Sequence, residues 1–338
     1  MAIKKRLELL AVLNNLKCAL TSNEVLEQSN AFVFQDGKVC SFNGEIFASV
    51  DYDIGIKEDF AITGSVLLGL LEKFPDNEVD LALKGKELFV GGKNKRAGVT
   101  IFQKILLPFS EVPDPGKTKK APKDFFHDLL QCARICGRDH TNPKTTHVHL
   151  SSNLMEATDR YRVFRVDIET GFTKDIMIPA DAILSMGNKD IVQTSQKENW
   201  LHLISSEKVR YSICCANIEY LEEGTIDDII KIDKKSIGRF PKSIVQALER
   251  AQVMQGDDTF NSAHVTLKKG LVKIRTEKND GWYEEKKAIK YSGKPISFTV
   301  GLDFLKEILT RTSRVIFGET KIKIEKDNFH FVIVIEPE

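Results

Sequence analysis

Apolar positions along this chain follow two alternating periods, one helical and one strand-like. Leu9, Leu13, Leu16 and Leu20 fall at helical spacing just after Lys4-Lys5-Arg6. The same stripe returns as Phe125, Leu129, Ala133 and Cys136, and again as Ile244, Ala247, Leu248 and Ala251. Each predicts an amphipathic helix with one buried face. Alternating runs then follow. Residues 31–34, 38–42 and 45–50 are divided by Asp36-Gly37 and Asn43-Gly44, the punctuation of β-hairpins. Residues 264–267, 271–277 and 282–288 are divided by Lys269-Gly270 and Asp280-Gly281 in the same way.

A second helix recurs as well. Near Phe60 a short extended piece runs into a helix carrying Val66, Leu67, Leu70, Leu71 and Phe74 on its expected inner face. Similar passages stand near Ile176 and Phe298, and aligning Ile62, Ile178 and Val300 gives offsets of 116 and 122 residues. Further strand runs follow each one, at 79–83 and 88–91, at 200–204 and 209–214, and at 321–324 and 329–335. Helix, strands, helix, strands is thus performed three times, which predicts an α+β chain of three repeated domains with helices on one face of antiparallel sheets. Composition breaks at the Pro- and Lys-rich stretch 112–122 and at 219–235, dividing the chain into 1–117, 118–233 and 234–338.

Composition narrows the function. Across 338 residues, 42% hydrophobic content supports real cores, and a net charge of +1 shows no bulk basic excess. The apolar start that resembles a secretory leader is interrupted by Glu8, Asn14, Asn15 and Lys17, so it reads as a helix of a cytosolic protein. The six cysteines include no CxxC pair, consistent with reduced, buried thiols and a cytoplasmic location. Cys132, Cys136 and His140 step by four with His127 upstream, a spacing that either buries a helix face or presents a thiol or metal site. His147 and His149 share a strand face with no carboxylate at ligand spacing beside them. Nucleotide-binding, zinc-protease and serine-hydrolase motifs are missing from the chain.

One passage resembles a known family. Ala157-Thr158-Asp159-Arg160-Tyr161-Arg162-Val163 is similar to the Ala-Thr-Asp-Gly-His-Arg-Leu signature in the second domain of bacterial β sliding clamps, with departures at Arg160, Tyr161 and Val163. Residues 106–115, with Pro108-Phe109-Ser110-Glu111-Val112-Pro113, resemble that family's first interdomain segment. Residues 247–251, 282–285, 298–302 and Pro337 fall in the family's order. The chain is somewhat short for a cellular clamp, which points to a phage or mobile-element version. The resemblance implies a head-to-tail homodimer, a six-domain ring around duplex DNA that serves a replicative polymerase and a clamp loader. It implies no enzyme activity and no cofactor. By position, it puts a partner-peptide pocket at Thr158, Tyr161, Arg162, Val163, Leu221, Ile226, Ile335 and Pro337. It puts the dimer contact at Val99, Ile101, Val253 and Met254.

Charge placement agrees with an encircling protein. The helix windows 1–23, 60–74, 123–140, 176–189, 234–252 and 300–314 together carry +8, leaving −7 for the rest. A positive lining attracts phosphates while a negative exterior refuses them. Lys17, Arg134, Arg138, Lys242, Arg250, Lys306 and Arg311 are the candidate phosphate contacts, engaging DNA without reading bases. Two competing readings are a thiol- or metal-dependent enzyme using Cys132, Cys136 and His140, and a repeat module that binds only proteins.

Overall fold

Chain reversal in this protein is written into its turns. Asp36 and Gly37 both take left-handed backbone, with φ of 51° and 71°, and close a two-residue hairpin between Gln35 and Lys38. Comparable turns at Gly85, Gly270 and Asp327 set further antiparallel hairpins, while strands distant in sequence join these hairpins into larger sheets. The computed structural model describes residues 2–24, 26–232, 236–254, 262–279, 281–334 and 336–337.

The described residues form eight α-helices: α1 Arg6–Leu16, α2 Gly64–Lys73, α3 Phe125–Ile135, α4 Pro143–Thr146, α5 Ala180–Met186, α6 Thr225–Ile230, α7 Ile244–Val253 and α8 Leu302–Arg311. Element order repeats three times: an opening strand, a helix, four strands, a second helix, then three strands. The opening strands are Ala2–Lys5, Lys119–Lys120 and Ser236–Arg239. Short helices interrupt this order, a 3₁₀ turn Lys17–Ala19 after α1, α4 after α3 and α6 before the third opening strand, and the third copy adds a final strand, Glu336–Pro337. The three copies also share a backbone bond just after the opening strand. Arg6 N–H donates to Asn77, Ala121 N–H to Val192 and Phe240 N–H to Ser313, at 2.9 Å in each case. The aligned residues Ile62, Ile178 and Val300 are all buried at the strand that feeds the second helix.

Residues 1–130 and 176–217 form one compact unit. Its twelve-stranded sheet begins at the opening strand Ala2–Lys5 and ends at Lys119–Lys120. Strand Ile46–Asp51 of the first copy pairs antiparallel with Arg210–Cys214 of the second, Ala48 opposite Tyr211, so two copies share one continuous sheet. Leu9, Leu13 and Leu16 of α1 and Leu67, Leu68 and Leu71 of α2 supply the buried helix stripes. Val66, expected on the inner face, is instead half exposed, because its neighbours Leu67 and Leu68 take the inward positions. A second apolar layer joins Phe42, Phe47 and Trp200 to Leu107 and Val112 from the connecting segment. Phe109 packs edge-on against Phe47 at 5.5 Å between ring centres.

That connecting segment is fastened along its length. Arg210 donates to Asp114 Oδ1 at 3.1 Å and also to the Pro113 carbonyl. Ser195 Oγ donates to the Pro115 carbonyl at 2.8 Å, and Thr118 Oγ1 donates to Gln193 Oε1 at 2.7 Å.

Residues 131–175 and 218–338 form the other unit. Here strand Arg162–Asp167 of the second copy pairs with Phe329–Val334 of the third, Phe164 opposite Phe331, in the same kind of junction. Phe304 of α8 lies over it, 5.7 Å from Phe164 and 4.6 Å from Phe331. A separate five-stranded sheet runs from Gly281–Ala288 at one end to Glu336–Pro337 at the other.

The structure extends the sequence reading at several edges. Residues 2–5 are a strand ahead of α1, where a helix was expected from the first residues. The α3 helix ends at Ile135, so Cys136 and His140 lie beyond the helix face that the spacing of four assumed. Cys132 and Cys136 are buried while His140 is exposed, and among the described residues there is no group of three His, Cys, Asp or Glu side chains suited to a metal. No described helix is long and apolar enough to cross a membrane.

Candidate functional site

The signature passage forms a tight hairpin between strands Leu154–Thr158 and Arg162–Asp167, with Thr158 opposite Val163. Asp159 organises the turn. Its Oδ1 accepts from the Tyr161 and Arg162 N–H groups at 2.9 and 2.7 Å, while its Oδ2 accepts from Arg162 Nε at 2.8 Å. Thr158 is buried, and its hydroxyl accepts from Arg160 N–H at 3.1 Å. Arg160, at the glycine position of the resembled signature, holds φ of 81°. That left-handed conformation is the physical reason a glycine suits the turn. Asn142 turns its amide oxygen toward Arg160, whose Nε lies 3.3 Å away.

Behind this hairpin Val163, Ile226 and Val332 make a buried apolar cluster, with Tyr220, Leu221, Ile229 and Ile230 packed on it. Val163, Leu221 and Ile226 are therefore brought together. Tyr220, Ile229, Ile230 and Val332 are the members that sequence reasoning missed, although the alternation through Phe329 and Phe331 pairs Val332 directly with Val163. Tyr161 is 69% exposed and Val334 39%, leaving an apolar rim beside the filled centre. Val334 N–H donates to the Tyr161 carbonyl at 2.8 Å. The backbone of Pro337 pairs with Ile296 on the five-stranded sheet. Ile335 lies outside the described residues.

Several polar contacts fasten the α6 segment over this cluster. Arg165 pairs with Asp227 at 2.5 Å, Lys144 donates to the Tyr220 carbonyl at 3.1 Å, and Lys321 donates to the Asp228 and Ile229 carbonyls at 3.2 Å. His149 stacks on Tyr220 with ring centres 4.4 Å apart. Its two ring nitrogens each lie 3.1 Å from a carboxylate, Nδ1 from Glu156 and Nε2 from Asp175. Burial opposes the imidazolium here, but the two carboxylates win and raise its pKa. The expectation of no neighbouring carboxylate is thus corrected: Glu156 stands opposite His149 on the next strand, a relation that spacing along one strand does not reveal.

The seven candidate phosphate contacts differ in their surroundings. Lys17, Arg134, Arg138, Lys242 and Arg250 are exposed. Arg134 pairs with Glu307. Arg250 is bound to Glu285, with Nη2 2.9 Å from Oε1. Lys306 donates to Gln252 Oε1 at 3.0 Å, and Arg311 lies over the Phe329 ring at 4.5 Å. Of the four contact candidates, Val99 and Ile101 are buried within their own unit, facing away from solvent on alternate strand positions. Val253, at the end of α7, is 79% exposed. Met254 Cε is so near Gly281 that an added Cβ there would come within 3.3 Å of it.

No family model and no curated protein sequence matches the chain. Solved structures do. The DNA polymerase III β subunit of Thermotoga maritima is similar with a TM-score of 0.71 at 15% identity, covering 100% of this chain and 99% of that one. The Pseudomonas aeruginosa DnaN sliding clamp, solved with griselimycin, gives 0.73 at 12% identity with the same coverage. The Bartonella birtlesii DnaN sliding clamp, also with griselimycin, gives 0.74 at 13% identity, again over 100% and 99%. With its three-fold element order and end-to-end structural match, this chain has the fold of the DNA polymerase III β-subunit sliding clamps.

Proposed function

We propose that this protein is a DNA sliding clamp, a non-enzymatic ring that encircles duplex DNA and tethers a replicative polymerase. The observation that carries the reading is the full-length similarity to β-subunit clamps in both directions. The three domains are 1–117, 118–233 and 234–338, and the active form is a head-to-tail homodimer placed on DNA by a clamp loader.

Internal symmetry supports the dimer. Within the chain, strand Ile46–Asp51 of copy one joins Arg210–Cys214 of copy two, and the equivalent strand Arg162–Asp167 of copy two joins Phe329–Val334 of copy three. The equivalent strand of copy three, Gly281–Ala288, stands at the end of its sheet. The last strand of copy one, Lys95–Phe102, is paired on its outer side only at Ile101 and Phe102. Each is a strand edge of the kind that proteins cover. Joining them between two copies repeats the junction already made twice inside each chain, and two such contacts close a ring. Val253 and Met254, beside Gly281, belong to this contact, and the backbone of Lys95–Thr100 supplies it more than the buried Val99 and Ile101 do.

The partner pocket is the surface around Thr158, Tyr161, Arg162, Val163, Leu221 and Ile226, completed by the tail with Ile335 and Pro337. An apolar rim beside a filled apolar centre suits a short peptide with apolar anchors. Lys17 and Lys242 lead the phosphate contacts, with Arg134, Arg138, Lys306 and Arg311 in support, giving sequence-independent and salt-sensitive binding.

Light scattering, a low-resolution image and retention on closed circular DNA test the reading together. A dimer that forms a ring and stays on circles, but slides off after linearisation, is expected. A monomer that binds short duplexes tightly and selectively overturns it.

A further inference from the structure

We propose that the start of α7 and the end of α8 enclose a binding pocket for phosphate groups, built on a cross-strand arginine pair that, of the three described opening strands, stands in the third copy. A cavity of about 580 Å³ opens there, between the turn that leads into α7, the last residues of α8 and the hairpin at Lys326-Asp327. Arg239, Lys242, Arg311 and Arg314 line it, with Lys326 at the hairpin, against only Glu325 and Asp327.

The three copies make their own comparison at this place. Each has an opening strand paired with the strand that follows the second helix. In copy one the last pair is Lys5 opposite Glu78, opposite charges across the strands. There the Arg6 guanidinium also fills the space, donating to the Asp76 and Leu71 carbonyls at 2.9 and 3.0 Å. In copy two the last pair is Lys120 opposite the neutral Gln193. In copy three it is Arg239 opposite Arg314, two cations side by side. Like charges directly opposite each other destabilise a sheet.

The neighbourhood offsets that repulsion only in part. Arg314 reaches Glu325 at 3.7 Å, and Lys326 reaches Asp327 at 3.9 Å, both looser than a direct hydrogen bond. Arg239, Lys242 and Arg314 are exposed, so the charges face solvent where a ligand arrives. An arginine pair beside a lysine matches a phosphate or two linked phosphates, because guanidinium groups bind such oxygens in pairs. The phosphates come either from a free polyphosphate or from a nucleic-acid backbone.

Titration calorimetry of the full chain with inorganic pyrophosphate, with short-duplex binding measured in parallel, decides the matter. Saturable pyrophosphate binding is expected, weakened about tenfold in Arg239→Gln/Arg314→Gln. The same variant melts at an equal or higher temperature, because the repulsion is gone. Loss of pyrophosphate binding with unchanged duplex binding assigns the pocket to free polyphosphate. A parallel fall in duplex binding assigns it to the nucleic-acid backbone. If the double variant fails to fold, Lys242→Gln on the exposed turn carries the test, with weaker binding expected. Absent pyrophosphate binding, or equal binding by wild type and variants, overturns the proposal. Pyrophosphate binding does not depend on ring formation, so on that readout the pocket and the clamp reading stand or fall separately.

Discussion

Arg250 and Glu285 are locked together across the third copy, with Nε 3.0 Å from Oε2 and Nη2 2.9 Å from Oε1. The Tyr283 hydroxyl donates to the same carboxylate, and Lys287 Nζ lies 2.5 Å from it. Burial works against the Glu285 carboxylate, yet the donors from Lys287, Tyr283 and Arg250 prevail and lower its pKa to about 2. Arg250 therefore holds the end of α7 to the strand Gly281–Ala288.

A contrast between two basic residues follows from this pairing. Lys242→Gln should reduce the dependence of DNA binding on salt by roughly one phosphate contact, a change of about 0.9 in slope. Arg250→Gln should leave that slope nearly unchanged and slightly lower the melting temperature instead, because solvent screens a pair at this exposure. Plots of log binding constant against log salt concentration distinguish them. A full unit of slope lost in Arg250→Gln would show that its guanidinium is available to DNA.

Acid should weaken the unit that holds His202. This imidazole is fully buried between strands, 2.8 Å from Ser212 Oγ, and burial with the nearby Arg210 charge lowers its pKa from 6.5 to about 4. The unfolded chain then binds the proton first. The contribution is complete above pH 6.5 and is lost as pH falls toward 4, up to about 3 kcal/mol. His202→Gln should flatten the dependence of denaturant midpoint on pH within that window.

The signature turn carries backbone strain that glycine removes. Arg160→Gly should raise stability by about 1 kcal/mol, since a non-glycine residue pays for left-handed backbone, less the lost contact with Asn142. Chemical denaturation measures this directly. A loss of stability would mean that the Asn142 contact outweighs the strain.

Ile226 anchors the segment that carries α6. Ile226→Ala should cost about 3 kcal/mol locally, by emptying the cluster with Val163 and Val332. Hydrogen exchange should report faster opening over 220–230 and unchanged protection in strands 262–278. Equal protection of 220–230 in the variant would show that the polar fastenings alone hold it.

At the chain ends of the proposed ring, Val253→Asp/Met254→Asp should give folded monomers in light scattering. Dimers surviving those charges would move the contact away from the end of α7.

The helices and the three-fold order were legible because burial imposes one stripe per helix and one alternation per strand. Ile244, Ala247, Leu248 and Ala251 are all buried as their spacing foretold. What stayed hidden depends on neighbours across strands. His149 meets Glu156 by register, and Arg250 meets Glu285 thirty-five positions away, so neither pair leaves a local pattern. Ala2–Lys5 reads like the start of a helix because its four residues carry too little alternation to separate the two periods. Within the signature, the resemblance singled out Thr158 and Arg162, while the turn held by Asp159 and the filling of the cluster by Ile226 required the fold.

The fastenings at Ser195 and Gln193 hold the connecting segment on either side of Gly116 and Lys117. Each half of that segment is thus anchored to the same sheet independently of the peptide bonds between them. Double anchoring of this kind makes Gly116-Lys117 the place to relocate the chain termini, or to divide the protein into two associating pieces.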